Sequence, residues 1–548
     1  MPSLPRRLAL ASLAILTAAT ALTGCGESAP TGTGGGTPRT GGAVTYAIAG
    51  YPVSIDISLQ GGRGTLAGVQ IVDTLTESVP KTNEIKPRLA KSWTVSPDAK
   101  KFTFTLRDDV TFSDGTKFDA QNVKDNLDTL VQLNAAAKTD TLVRSALASY
   151  KGSTVIDANT VEVEFNSPEL GFLRNLSDPY LGLLSSATLK ATPEERAAGK
   201  LVGTGPFVLG TIKRNESIEL LARKDYNWAP ESTSAHQGRA YLDSVTFKVV
   251  PESGVRAGLL ASQQAELVDD VAKDDEATVT SAGGSIAFAG TPGLVGGLRQ
   301  NPYSVFGGDK AIRQAVTKSI DRAEVRTTLQ SEASSQPVTS AIGATTPLWT
   351  DLSADLAYDP EGAKKILEDA GWKAGADGIR EKDGVRLDLK LIYTLNSLVA
   401  TKSDLELLQD QLKRVGIGVT LVPATAAEFT EAILAIKERG TDAQYDFLSG
   451  SGPSKDPSFL VGLFRNSNPA LGGAEQPELE AAADKLAAAT TEQERASSAA
   501  DLQRLLVSDG YWIPIKELSK VVGASSGLQG FRLDAYALPV LYDTWLDR

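Results

Sequence analysis

Cysteine, histidine and methionine are almost missing from this chain, with one of each in 548 residues. The lone cysteine, Cys25, follows an apolar N-terminal segment, so a body beginning beyond it has no thiol for a disulfide and must draw its stability from a large core. The same scarcity excludes thiolate zinc sites, metal sites built on several histidines and a cysteine nucleophile. Oxygen-ligand calcium sites pass this filter, and Asp269-Asp270 with Asp274-Asp275-Glu276 is the densest acidic cluster. It has neither the glycine turn nor the alternating spacing of an EF-hand loop, and reads as a solvated loop face. No apolar run after the N-terminal segment is long enough to span a membrane. A Gly-x-x-x-x-Gly-Lys-Ser/Thr loop is also absent, so the chain is not expected to hydrolyse ATP. Net charge is −12, an acidic balance that disfavours nucleic acid and anionic lipid surfaces as partners.

What is present begins with a leader. Arg6 and Arg7 form a positive n-region, Leu8 to Leu22 an h-region too short to span as a helix, and small residues a cleavage site, the pattern of a signal peptide over residues 1–24. Leu22-Thr23-Gly24-Cys25 resembles a bacterial lipoprotein lipobox, which implies cleavage before Cys25 and lipid modification of that cysteine. Stable anchoring needs two acyl chains, because one chain binds a membrane only reversibly. Arg6-Arg7 also fits a twin-arginine signal loosely, so the export route stays open. Residues 25–42 are rich in Gly, Thr and Pro without apolar periodicity and read as a flexible tether with a reach of roughly 20–25 Å.

The body is long enough for two or three lobes. Lys101 to Arg107 alternates as a half-buried strand, and Val155 with Val161 to Phe165 flanks Asp157-Ala158-Asn159 as a hairpin. Between them Asp119 can cap a helix with Val123, Leu127, Leu130 and Val131 on one face. Further strands are expected at Ser217 to Ala222 and Val245 to Val250. Later, Asp359-Pro360 opens a helix that Gly371 closes. A strand at Leu387 to Tyr393, a helix carrying Leu405, Leu408, Leu412 and Val415, and a strand at Ile417 to Val422 then form a βαβ unit, hence a parallel sheet. Ala-rich helices follow at about Pro477 to Ala489 and Glu492 to Ser508.

Three segments carry a family resemblance. The first runs from Pro87-Arg88-Leu89-Ala90 through Trp93 and Phe102 to Asp114-Gly115-Thr116. The second is Gly203-Thr204-Gly205-Pro206-Phe207. The third is Ala311-Ile312-Arg313-Gln314-Ala315-Val316 with Ser319-Ile320-Asp321-Arg322, followed by Tyr358-Asp359-Pro360 and Ala370-Gly371-Trp372. In order and spacing they resemble the peptide/nickel (family 5) solute-binding proteins of ABC transporters. The resemblance implies an α/β, two-lobed periplasmic-binding-protein-like type II (cluster C) fold, with an extra subdomain inserted in the first lobe. Matched landmarks give lobe one as 43–78, 200–300 and 521–548, the insert as 79–199, and lobe two as 301–520. It further implies a monomer without cofactor or metal that closes its lobes on a peptide or other small solute and hands it to membrane permease subunits, with separate ATPases driving uptake.

Binding residues are expected in the cleft: Tyr51 and Ser54 after the first strand, Asn396 and Ser397 beyond the Leu387 strand, and Ser449, Gly450, Ser451 and Pro453 in the loop before Asp456-Pro457. In relatives that grip a peptide amino terminus, a carboxylate stands where Pro453 stands here. Proline cannot pair with an ammonium group, so strict recognition of an amino terminus is not expected unless a register shift brings in Asp446 or Asp456. His236 reads as a solvated loop residue. The rival from another class is a tethered hydrolase, resting on Gly523-Ala524-Ser525-Ser526-Gly527, which fits Gly-x-Ser-x-Gly. That elbow needs a helix after the serine, and none is patterned there. Solute sensing in place of import is a third reading.

Overall fold

The structure is a computed structural model that describes residues 36–59, 66–136, 146–395, 401–435, 445–465 and 476–547. The leader, Cys25, most of the tether, Asn396 and Ser397 lie outside the described residues. The mixed α/β chain builds two principal sheets. The seven-stranded sheet runs in the order Ser285–Gly290, Ser519–Ala524, Leu267–Asp269, Ala43–Ile48, Ser244–Val249, Ser217–Ala222, Phe207–Lys213. The five-stranded sheet runs Gly418–Ala424, Asp388–Thr394, Phe447–Pro453, Gly293–Gln300, Trp512–Lys516. The expected βαβ unit is present, with Asp388–Thr394 and Gly418–Ala424 parallel, Leu391 opposite Leu421, and the helix Lys402–Lys413 between them.

The hairpin-rich segment forms a separate antiparallel sheet, Ala90–Val95, Lys101–Leu106, Thr160–Phe165, Tyr150–Asp157, with the helix Ala120–Ala136 packed against it. Phe102, Phe104 and Phe165 alternate inward from their strands and meet Phe172, whose ring lies 4.6 Å from that of Phe165. This core is continuous with that of the seven-stranded sheet, so the segment sits on the first lobe as an attached subdomain.

Two expectations need correction here. Gly293–Gln300, assigned from landmarks to the first lobe, is a central strand of the five-stranded sheet, between Phe447–Pro453 and Trp512–Lys516. The chain therefore changes sheets at Thr291-Pro292, and returns at Glu517-Leu518. The cause is burial on both faces, since every residue from Gly293 to Gln300 is buried and Leu298 belongs to the core of the second sheet. The two crossing segments touch, with the Thr291 N–H donating to the Leu518 carbonyl at 2.7 Å. The acidic cluster is not one solvated face either. Asp269 is buried, takes a hydrogen bond from the Tyr46 hydroxyl at 3.1 Å and pairs with Lys520 at 2.6 Å. Lys520 also reaches Asp270 at 3.0 Å, and the Asp269 carboxylate, held by Tyr46 and Lys520, ties three neighbouring strands.

The landmark motifs turn out to be architectural. A Cβ at Gly203 would collide with the Ile71 carbonyl oxygen, and one at Gly205 would lie 2.6 Å from the Val72 nitrogen, so the Gly-Thr-Gly run lets two backbones touch. Arg88 chelates buried Asp73 through Nε at 3.1 Å and a terminal nitrogen at 2.5 Å, and the Trp228 indole donates to the other Asp73 oxygen at 3.0 Å. Arg313 donates to the carbonyls of Gly307, Gly308 and Asp509. Arg322 does the same for Thr317, Ile320, Leu356 and Pro514.

Candidate ligand cleft between the two sheets

Strand direction locates the site. Ala43–Ile48, Ser244–Val249 and Leu267–Asp269 are mutually parallel, and Ser285–Gly290 points the same way because both it and Leu267–Asp269 run against Ser519–Ala524. Four carboxyl ends therefore gather where the chain leaves for the second sheet. Asp388–Thr394, Gly418–Ala424 and Phe447–Pro453 are likewise parallel, and Trp512–Lys516 joins them by opposing Gly293–Gln300. Since Gly293 starts at the crossing, these four carboxyl ends face the same crossing. Two sets of strand ends and their loops thus confront each other, and in open α/β sheets the crevice outside carboxyl ends is where ligands bind.

The described residues among the sequence-derived candidates lie in the loop after Ala43–Ile48 and along Phe447–Pro453, with unequal freedom. Tyr51 is half-buried against the first core, and burial pushes its hydroxyl up, with Arg214 opposing. Ser54 is only 4% exposed and donates to the Asp56 carbonyl at 2.9 Å, while Asp56 is held by Arg196 at 2.6 Å. The hydroxyl of Ser54 is thus engaged in shaping the loop, and the residue the loop presents is Val53, 85% exposed. Ser449 is buried opposite Leu298; Gly450 and Ser451 are half-buried in the same strand, and Pro453 pairs with Gly293 at the crossing. Leu395, directly after Asp388–Thr394, is 62% exposed at the opposing strand end.

Neither aspartate can take over from Pro453. Asp446 precedes its strand at the end remote from the crossing, where it accepts the Lys390 N–H at 2.7 Å. Asp456 is at the right end but committed: Arg495 bonds it, the Ser458 N–H donates to it at 2.9 Å, and these contacts hold its carboxyl below the usual range against the burial that opposes them. A Cβ at Gly171 would lie 2.6 Å from this carboxylate, so the first lobe packs directly on it. The lobes also touch at Lys455, whose ammonium donates to the Ser78 hydroxyl at 3.3 Å, and at Lys273, which donates to the Thr327 carbonyl at 2.7 Å.

His236 is not a solvated loop residue. Its ring is stacked between Tyr241 and Tyr542, 3.9 and 4.3 Å away, with Nδ1 against Asp543 at 3.1 Å and Nε2 against the Arg239 carbonyl at 3.0 Å. It fastens the C-terminal tail. Ser525 follows the strand Ser519–Ala524, its N–H donates to the Glu266 carbonyl at 2.9 Å, and a short strand at Leu528–Gln529 stands where an elbow requires a helix. Lys455, Val53, Leu395 and Arg174 escaped the sequence reading because charge or apolarity in a loop becomes informative only once its burial is known. Among the described residues, no group of three or more metal-ligating side chains could hold an ion, and no helix is long and apolar enough to cross a membrane.

Comparison with known proteins agrees with this architecture. The family model for bacterial extracellular solute-binding proteins, family 5, matches residues 84–470. The glutathione-binding protein GsiB of Escherichia coli (strain K12) is 26% identical over 487 residues, covering 84% of this chain and 88% of that protein. The nickel-binding periplasmic protein of the same organism is 25% identical over 452 residues, covering 80% of this chain and 82% of that one. Among solved structures, the periplasmic binding protein DppA from Helicobacter pylori, in complex with the peptide STSA, superimposes with a TM-score of 0.73 at 20% identity, over 93% of this chain and 99% of that one. The chain belongs to the bacterial extracellular solute-binding proteins of family 5, which serve ABC transporters as binding proteins and not as enzymes.

Proposed function

We propose that this protein is a lipid-anchored receptor of an ABC importer that captures an oligopeptide or similar small solute between its lobes and delivers it to the permease. The observation that carries the reading is the confrontation of two sets of strand carboxyl ends across a paired crossing at Thr291-Pro292 and Glu517-Leu518. On this reading the first lobe comprises 43–78, 200–291 and 518–547, the insert 79–199, and the second lobe 292–517. The lobes turn about the crossings, and a ligand shifts closure only as far as it binds the closed form better than the open one. The Leu22-Thr23-Gly24-Cys25 run supports the anchor, and the Gly-rich stretch after it supports a tether.

Two experiments test this. Native mass spectrometry of a soluble form beginning at Gly42, followed by denaturation, identifies the co-purified solute. Mixed peptides establish an oligopeptide receptor, and a single non-peptide compound redirects the assignment within the family. Cys25→Ala should move the protein from the detergent-rich to the aqueous phase in a detergent partition. Unchanged partition of that variant would remove the anchor.

A further inference from the structure

The amino-terminal arm and the carboxyl-terminal tail meet on the first lobe. Residues 36–42, expected as the end of a flexible tether, are instead seated there. The Gly41 N–H donates to the Tyr241 carbonyl at 2.7 Å, the Gly42 N–H donates to Asp243 Oδ2 at 3.1 Å, and the Gly42 carbonyl accepts the Asp243 N–H at 2.8 Å. Both glycines have positive φ, +121° and +97°, in the region that favours a residue without a side chain. The tail lies against the same arm: a Cβ at Gly36 would stand 2.8 Å from the Trp545 ring, and one at Gly42 2.8 Å from Leu546.

The residues that hold this arm are held in turn by His236. Its ring stacks on Tyr241, whose carbonyl takes Gly41, and on Tyr542, four residues before Leu546 in the tail. Nε2 contacts the Arg239 carbonyl at 3.0 Å, and the Arg239 guanidinium grips Asp243 at 2.7 Å. Nδ1 contacts Asp543 of the tail at 3.1 Å. One side chain therefore joins the loop and the tail that the arm touches.

Strand direction fixes where the arm leaves. Ala43 pairs with Ser244 at the amino ends of two strands whose carboxyl ends face the second lobe. The arm thus enters on the flank of the first lobe turned away from the second, with about 20 Å of strand between it and the cleft. Residues 26–35 separate the arm from Cys25 and span at most about 33–36 Å, against about 56–61 Å if residues 36–42 came free as well.

We propose that residues 36–42 are a strap, clasped by the Tyr241 loop and the C-terminal tail with His236 as its positioning residue, that seats the anchor on the outer flank of the first lobe, so that a lipid surface holds the first lobe close and leaves the second as the moving body. This rests on the lipid-anchored reading above. The contacts that hold the strap all lie in the first lobe, so closure on a solute does not have to break them.

The test has a soluble and a membrane part. In the Cys25→Ala protein, hydrogen exchange at the Gly41 and Gly42 amides should be at least tenfold slower than in a free peptide of residues 36–42. Gly42→Val, which sets a side chain against Leu546 at a positive φ, should remove protection at Gly41 while leaving the strand Ala43–Ile48 protected. His236→Ala should remove it together with protection at Trp545–Leu546. In the lipidated protein on phosphatidylcholine vesicles, a donor dye on Ser526→Cys, an exposed position in the first lobe, should transfer to an acceptor-labelled lipid at least twofold more efficiently than a donor on Val305→Cys in the second, and Gly42→Val should narrow the difference. Free-peptide exchange rates at Gly41 and Gly42 would overturn the strap and leave the anchor standing. Equal transfer from the two positions, unaltered by Gly42→Val, would overturn the placement of the first lobe. Protected amides in a wild-type protein that stays in the aqueous phase of the detergent partition would overturn the anchor and with it the membrane-side placement.

Discussion

At the scale of single residues, the landmarks by which the family was legible include groups that let backbones meet or that cross-link carbonyls. Gly203 shows the constraint sharply, because a side chain there has only the backbone of Ile71 to displace. Gly203→Ala should therefore destabilise the protein by about 1–3 kcal/mol in urea unfolding, the usual cost of forcing an extra carbon into packed structure. Gly258 makes the control: it lies inside the helix Ser253–Ala261 with open space where a Cβ would stand, so Gly258→Ala should stabilise by about 0.5–1 kcal/mol. If both substitutions destabilise alike, the backbone approach at Gly203 is not what constrains it. The candidate cleft residues are harder to read because their signal lies in burial. Ser54 and Val53 are adjacent and both occupy a loop, yet only the fold reveals that the polar one is engaged and the apolar one is offered.

At the scale of elements, periodicity located strands and helices well wherever one face meets water. Asp359 caps the helix Pro360–Asp369 by accepting the Gly362 N–H at 2.8 Å, as its sequence implies, and the alternating strand at Lys101–Leu106 buries Phe102, Phe104 and Leu106. The strand Gly293–Gln300 was not legible as a member of the second sheet, because a segment buried on both faces has no alternation and its glycines read as loop. The return crossing at Glu517-Leu518 contains a titratable group with a definite consequence. Glu517 is buried, accepts the Ala344 N–H at 2.8 Å, and its second oxygen has no partner among the described residues, so burial pushes its carboxyl up to about 7. An acid whose folded value lies above its unfolded one, near 4.3, holds a proton in the folded state that the unfolded state releases between those limits. Its contribution is thus fully present below pH 4.3 and lost as pH rises through 7. Glu517→Gln should flatten that part of the stability profile and make the variant more stable than wild type at pH 8, by up to about 3 kcal/mol. Parallel profiles of the two proteins between pH 4 and 8 would show that the carboxyl is not desolvated in solution.

At the scale of the whole molecule, the scarcity of cysteine becomes an experimental handle. With Cys25 replaced by alanine, the chain has no other thiol, so a pair of introduced cysteines can carry a donor and an acceptor dye without competition. Ile156 in the inserted sheet and Val305 in the second lobe are both exposed and stand on bodies expected to move relative to each other. The described contacts between lobes include Lys455 to Ser78 and over the Tyr536 ring, Lys273 to Thr327, Ser334 to Glu276, Asn83 to the Thr345 carbonyl at 3.3 Å, and the packing of Gly171 on Asp456. These contacts lie outside the two main cores, each of which fixes its own lobe. Single-molecule energy transfer should accordingly resolve two states that exchange without unfolding, with solute increasing the closed population. To carry that population from 1% to 99%, a solute must bind the closed form about 10⁴-fold more tightly than the open one. A single energy-transfer population, unaltered by a solute that demonstrably binds, would mean that recognition proceeds within one rigid body and that the crossings at Thr291-Pro292 and Glu517-Leu518 do not act as a hinge.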